Sequence, residues 1–195
     1  MAERHITLIR HGDYDKSATD IGGGDLTPTG IEQAERVAQA LVEQYPVTAI
    51  YSSTLRRAIS TAHIIAIAQH KVGFSQDENL CEAVFHIPPK DEAYFAQFKD
   101  LGSEAITAQR IRVAHAYQTY VVAASTQTDE HDVLVAHGNI IRYFVVRAMN
   151  APIDLWTQMD IYNGGITRLL VREDGQVKLV THNEIGHLPR RLWSV

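Results

Sequence analysis

Twice in this chain an apolar run ends in a histidine and a glycine. Ile6-Thr7-Leu8-Ile9-Arg10-His11-Gly12 does so near the start, and Val133-Leu134-Val135-Ala136-His137-Gly138-Asn139 repeats it far downstream. Short apolar runs closed by turn residues read as buried strands, and Val133 to Ala136 has the unbroken character of a strand inside a parallel sheet. The glycine after each histidine lets the backbone turn sharply. Open α/β sheets bind ligands in the crevice beyond the carboxyl ends of their strands. Neighbouring parallel strands would therefore deliver His11 and His137 to one crevice, with Arg10 beside the first. One Arg-His pair at a strand end is ordinary surface decoration. The repeated ending makes a shared site the stronger reading.

The segments between fit an alternation of strands and helices. Asp13 to Asp25, with Gly22-Gly23-Gly24, is a polar loop: a plain connection, or a mobile rim over His11. A helix starts at Leu26-Thr27-Pro28. Thr27 can cap it, Pro28 suits its first position, and Thr29 to Glu32 has capping-box spacing. It should run to about Tyr45, with Ile31, Ala34, Val37, Ala38, Leu41 and Val42 on its apolar face. Val47 to Tyr51 reads as a second strand, and Ser53 or Thr54 as the cap of a second helix reaching Gln69. Lys71 to Ser75 reads as a third strand. Asp91 to Ala124 reads as helical, broken near Gly102-Ser103, where Ser103 caps the second part. Ile106, Ile111, Val113, Tyr117, Tyr120 and Val121 supply its apolar face. Asp129 to Asp132 reads as a turn, and Ile140 to Met149 as the helix after the central strand. Asp174-Gly175, between Ile166 to Val171 and Gln176 to Thr181, signals a hairpin of edge strands. The tail from Asn183 either packs or frays.

With 195 residues and no linker, repeat or low-complexity stretch, one domain covering 1–195 is expected. A net charge of -5 leaves no basic footprint for nucleic acid, and no basic run suggests an anionic membrane. No apolar span has bilayer length and no signal-peptide core precedes the first strand, so cytoplasm is the expected location. The lone cysteine, Cys81, rules out an internal disulfide framework or a cysteine-rich zinc site, and reads as a small buried hydrophobe. Trp156 and Trp193 read as packing residues and His86 as an inert loop histidine. The late strands either offer an edge for a homodimer or are covered.

The crevice would gather His11, His137, Arg10, one of Arg56 and Arg57, and Glu82. Arg56 and Arg57 open the second helix, whose N-terminus is itself a ready anion site. Adjacent helical residues point about 100° apart, so only one of the two reaches the pocket, and the pattern alone does not choose. Glu82 sits amid Leu80-Cys81 and Ala83-Val84-Phe85. If partly buried, its pKa rises towards the range of a general acid, whereas a lone loop glutamate is ordinarily a surface carboxylate. No nucleotide-binding glycine loop, zinc spacing or aspartate cluster is present. Arginines repel cations, so this set makes a poor metal site and a good oxyanion site. The chemistry that follows needs no metal or cofactor. His11 attacks phosphorus, while Arg10, the second-helix arginine and His137 hold the non-bridging oxygens. Glu82 protonates the leaving alkoxide and then, as carboxylate, activates water. Asn139 is a further phosphate contact.

Leu8-Ile9-Arg10-His11-Gly12, Leu26-Thr27-Pro28-Thr29-Gly30 with Gln33-Ala34, Ser53-Thr54-Leu55-Arg56-Arg57-Ala58 with Thr61-Ala62, Leu80-Cys81-Glu82 and Ala136-His137-Gly138-Asn139 with Arg142 together resemble the histidine phosphatase, or phosphoglycerate mutase-like, superfamily. The resemblance covers nearly the whole chain. It implies a phosphoglycerate mutase-like three-layer α/β/α sandwich around a mostly parallel sheet, and it selects Arg57, the residue before Ala58. Within the superfamily, Asn139-Ile140-Ile141-Arg142-Tyr143, Asn163-Gly164-Gly165-Ile166-Thr167 and the Pro88-Pro89 loop are most similar to the mitochondrial protein phosphatase branch. That branch implies a phosphoserine or phosphothreonine protein substrate, without its membrane anchor or assembly segment. Mutases of the superfamily often place asparagine where this chain has Ser17, and they are usually longer, which favours hydrolysis. The competing readings are a mutase, a small-molecule phosphatase, and a binding module without chemistry. A pure binder has no use for both His11 and Glu82.

Overall fold

The computed structural model describes residues 2–20, 22–42, 46–70, 72–91, 93, 95–96, 101–125 and 127–195. The elements are β1 (Arg4–Arg10), α1 (Pro28–Val42), β2 (Ala49–Ser52), α2 (Arg56–Ala68), β3 (Phe74–Gln76), α3 (Ser103–Tyr120), β4 (Glu130–Ala136), α4 (Gly138–Ala148), β5 (Ile166–Val171) and β6 (Val177–Glu184). Short 3-10 turns occupy Glu78–Leu80, Pro89–Asp91, Ile153–Gln158 and Arg190–Leu192. The expected helix end near Tyr45, the strand start at Lys71 and the 97–100 part of the expected long helix lie outside the described residues.

The strands form one sheet in the order β3-β2-β4-β1-β5-β6. β3, β2, β4 and β1 run parallel, and β5 and β6 return antiparallel. Only β6 of the late hairpin is an edge, because β5 pairs along β1. Strand alternation builds two cores. Ile6, Leu8, Leu134 and Ala136 face α3 and α4, with Phe85, Phe144 and Trp156 among them. Ile9, Val133, Val135 and Ile50 face the other way, against Val37 and Leu41 of α1 and Ala62 and Ile65 of α2. This is the expected three-layer arrangement with a mostly parallel sheet.

The local rules hold in some places and give way to tertiary contacts in others. Thr27 caps α1, its Oγ1 accepting from the Gly30 N–H at 3.1 Å. No capping box closes, because Gly30 occupies the reciprocal position and Glu32 instead accepts from Arg191 at 2.7 Å. Ile31 and Val42 are 43% and 53% exposed rather than on the buried face. Gln33 takes that face, since the Asp13 N–H at 2.7 Å and the Leu192 carbonyl at 2.6 Å satisfy its amide. Neither Ser53 nor Thr54 caps α2; Leu55 holds the N-cap position. Gly102, not Ser103, holds the cap position of α3. Ile111 is 66% exposed, because the buried stripe of α3 is Val113, Ala116 and Tyr120. The expected turn at 129–132 is largely strand, since pairing with β1 and the partly buried Arg4–Asp132 ion pair extend β4 back to Glu130. The tail packs: Leu188 and Leu192 are buried, and the Asn163 N–H donates to the Ser194 carbonyl at 2.9 Å.

α1 leaves β1 towards one face of the sheet, and α4 leaves β4 towards the other. β1 and β4 are neighbours, so their divergence opens a crevice at their carboxyl ends.

Candidate active site

The register pairs Arg10 with Ala136, which sets His11 and His137 side by side just past the two strands. Their ring centroids are 4.9 Å apart, and both residues are buried. The His11 N–H donates to the Ala136 carbonyl at 3.1 Å, extending the ladder one residue beyond β1. Asn163 Nδ2 donates to the His11 carbonyl at 2.9 Å, and the Gly12 N–H donates to Thr61 Oγ1 at 3.1 Å. A Cβ on Gly12 would lie 2.4 Å from the Gly30 carbonyl oxygen, so glycine here is what lets α1 start against the strand end.

The tautomer of His11 follows from its partners. A carbonyl only accepts, so His11 Nδ1, 2.7 Å from the Gly12 carbonyl oxygen, carries the proton. Nε2 keeps its lone pair and accepts from Arg57 Nε at 3.0 Å. Burial, then Arg10 and Arg57, hold the imidazole pKa well below 6.5, so the ring is neutral. A neutral imidazole with a directed Nε2 lone pair is a competent nucleophile.

Arg57 and not Arg56 enters the crevice. Its Nη2 lies 3.2 Å from His137 Nδ1, and the Tyr14 ring covers the guanidinium at 4.4 Å. Arg56 turns outward to ion pairs with Asp20 and Asp25. Arg10 Nη1 donates to the Ile161 carbonyl, while Arg10 Nε is buried with no hydrogen-bond partner among the described residues. A buried, charged donor without an acceptor is a cost that an anion in the crevice would remove. Burial, then His11, Arg57 and Arg10, push His137 well below 6.5 as well.

Glu82 stands at the mouth of the crevice, exposed to solvent on one side. Protein packed around its carboxyl desolvates it and raises its pKa; N–H donors from Ala83 and Asn139 and the charges of Arg10 and Arg57 oppose that rise. Its solvent access moderates it further. Asn139 occupies a different place from the expected phosphate contact. Its N–H donates to Glu82 Oε1 at 3.2 Å and its Nδ2 to the Ala83 carbonyl at 2.9 Å, so both of its donor groups hold the Glu82 loop.

Several contributors escaped the sequence reading. Tyr14 packs edge-on to His11 at 5.2 Å and lids Arg57, yet it stands in a stretch read only as a loop. Arg112 of α3 donates to the carbonyls of Glu78, Asn79, Cys81 and Glu82 at 2.8–3.0 Å and so clamps the loop that carries Glu82. Nothing in its local sequence separates it from any solvated helical arginine. Cys81 is half-buried rather than core, with Sγ 3.0 Å from Thr54 Oγ1. His86 pairs with Asp154 at 2.5 Å. Among the described residues no group of three or more histidine, cysteine, aspartate or glutamate side chains could hold a metal ion. No helix among them is long and apolar enough to cross a membrane.

The sequence profile of the histidine phosphatase superfamily (branch 1) matches residues 6–185. A relative in Xenopus laevis, the mitochondrial serine/threonine-protein phosphatase PGAM5, is 31% identical over 189 residues, covering 96% of this chain and 68% of its own. The human protein of the same name is 32% identical, with 96% of this chain and 65% of its own length covered, so the chain spans about two thirds of these relatives. Among solved structures, a Plasmodium falciparum phosphoglycerate mutase superposes with a TM-score of 0.67 at 28% identity, covering 97% of this chain and 96% of that one.

Proposed function

Since the chain belongs to the histidine phosphatase superfamily and is a phosphatase, we propose that it hydrolyses phosphomonoesters without a metal, through a phosphohistidine on His11, and that its substrates are phosphoserine or phosphothreonine in proteins. The observation that carries the mechanism is the neutral His11, with Nδ1–H tied to the Gly12 carbonyl and the Nε2 lone pair facing Arg57 and His137. An incoming phosphate takes Arg57 away from Nε2 and brings phosphorus in line with it. Arg10 Nε, Arg57 and His137 then receive the three non-bridging oxygens. Glu82 gives its proton to the leaving alkoxide. As carboxylate it next draws a proton from the water that cleaves the phosphohistidine, and so recovers its starting form. Charge on the transferring group is met by guanidinium and imidazole, the work a metal would otherwise do. We assign Asn139 to holding Glu82 in reach rather than to binding phosphate.

Support for a protein substrate comes from the Xenopus laevis and human relatives, whose names describe serine/threonine protein phosphatases. The test is hydrolysis of para-nitrophenyl phosphate in EDTA beside His11→Ala, followed by a panel of phosphopeptides. The reading expects turnover that EDTA spares and the variant abolishes, and phosphopeptides that outcompete small phosphoesters. Turnover lost in EDTA would contradict the metal-free chemistry. The structural likeness to a phosphoglycerate mutase keeps one rival specific: isomerisation of 3-phosphoglycerate with a bisphosphate primer, and little phosphate release, would replace the hydrolase reading.

A further inference from the structure

Ser53 follows β2 directly and is fully buried. Its N–H donates to the Val135 carbonyl at 3.0 Å, which seats it against the end of β4, two residues before His137. Its Oγ lies 2.7 Å from His137 Nε2. It also accepts from the Leu55 N–H at 3.1 Å and stands 3.5 Å from Cys81 Sγ.

Donor counting fixes this network. Arg57 Nη2 can only donate, and it faces His137 Nδ1 at 3.2 Å. Nδ1 of the resting ring is therefore the acceptor, and the single proton of the neutral imidazole resides on Nε2. Ser53 Oγ accepts that proton as well as the Leu55 N–H, which fills both of its acceptor positions. Its own proton is directed to Cys81 Sγ. The resting ring thus shows phosphate a lone pair, not a donor. When phosphate arrives and engages Arg57, Nδ1 must carry a proton to hold a phosphoryl oxygen.

We infer that Ser53 is a positioning residue of the reaction: it keeps the Nε2 proton of His137 and so reserves Nδ1 for the phosphoryl group, making anion binding and proton uptake by His137 one event. The inference rests on the phosphatase reading of this crevice. The added proton comes from solvent or from a phosphate monoanion, forms an N–H at Nδ1, and departs when the anion leaves. Burial and the neighbours of His137 oppose a resting imidazolium: burial, then His11 at the end of β1, Arg57 of α2, Arg10 of β1 and Arg112 of α3 depress it. Glu82, held through the Asn139 N–H, Cys81, across Ser53, and Tyr14, over Arg57, are further titratable groups near it. An entering dianion reverses the balance of charge.

The experiment uses protein with 15N-labelled histidines near pH 7, with His137 assigned by a His137→Gln variant. Sulfate is the probe, because it stays a dianion and brings no proton. The expected free spectrum has His137 neutral, protonated at Nε2. Saturating sulfate should convert it to the doubly protonated ring, with about one proton taken up per sulfate by calorimetry in buffers of different ionisation enthalpy. Ser53→Ala should lose the single tautomer and bind sulfate roughly tenfold more weakly, as expected for a lost hydrogen bond to a charged group. It should also shift the pH profile of kcat/KM, and Ser53→Thr should restore both. An Nδ1-protonated ring in the free protein, or sulfate binding with no proton uptake, would overturn the inference from the unmodified protein alone, whether or not Ser53→Ala folds. Para-nitrophenyl phosphate turnover alongside either result would leave the phosphatase reading standing. The expected spectra without turnover would sink the phosphatase reading and keep the proton-coupled anion site.

Discussion

In the proposed reaction His11 and Glu82 divide the work by environment. Burial and two arginines keep His11 unprotonated, while crowding around Glu82 raises its pKa above 4.5 and favours its acid form. Activity should fail on the acid side where His11 gains a proton, at a pH below 6.5, and on the alkaline side where Glu82 loses its own. The profile of kcat/KM for an alkyl phosphate would show both limbs. Glu82→Gln should cost about 10²–10⁴-fold in kcat/KM on that substrate and far less in kcat/KM on para-nitrophenyl phosphate, whose leaving group needs no proton, because kcat/KM excludes the later water step. Equal losses on the two substrates would remove Glu82 from the role of acid. Arg57→Ala should lower kcat/KM by about 10²–10³-fold, as for loss of one preorganised oxyanion donor. His11, His137, Arg10 and Glu82 were legible in the sequence because strand endings and an apolar-flanked carboxylate leave local signals. Ser53, Tyr14 and Arg112 were not, because each acts through contacts that the chain makes only once folded.

The residues of the proposed site lie at or near element ends, so the elements carry the geometry. β1, β4 and β2 end side by side and present His11, His137 and Ser53 in one row. The order and type of these elements were readable from apolar runs and from Thr27-Pro28. Their edges were not: Gln33 and Ile31 exchange faces because the tail's carbonyl at Leu192 satisfies an amide that sequence pattern scores as polar. α3 contributes most at a distance, since Arg112 gathers the carbonyls from Glu78 to Glu82. Arg112→Ala should release the Glu82 loop and lower kcat/KM for an alkyl phosphate by about 10–100-fold, the scale of a misplaced catalytic group. The kcat/KM for para-nitrophenyl phosphate would change little, and a loss in kcat/KM equal on both substrates would assign Arg112 to phosphate or to folding instead.

The whole molecule bears the cost of burying two histidines beside two arginines. Both histidine pKa values are depressed in the folded protein, so between those values and 6.5 the unfolded chain binds more protons. Their contribution is present above pH 6.5 and is lost as pH falls, with a slope of up to about 2.7 kcal/mol per pH unit for the pair. Glu82 works in the opposite sense, since the fold retains a proton that the unfolded chain gives up, but one moderated carboxyl does not offset two buried rings. Melting temperature should therefore drop as pH is lowered from 6.5, and sulfate should lessen the drop by stabilising the protonated His137 ring. A flat profile without sulfate would mean that the rings are not held neutral. The central claim is covalent chemistry at His11, and trapping tests it most directly. Radiolabelled phosphoester would be mixed with enzyme, quenched in alkali within milliseconds, and the protein digested and mapped. The account predicts an alkali-stable, acid-labile phosphate on His11 Nε2 that forms as fast as turnover and is missing from His11→Ala. Full turnover with no labelled protein, or label at another residue, would contradict it.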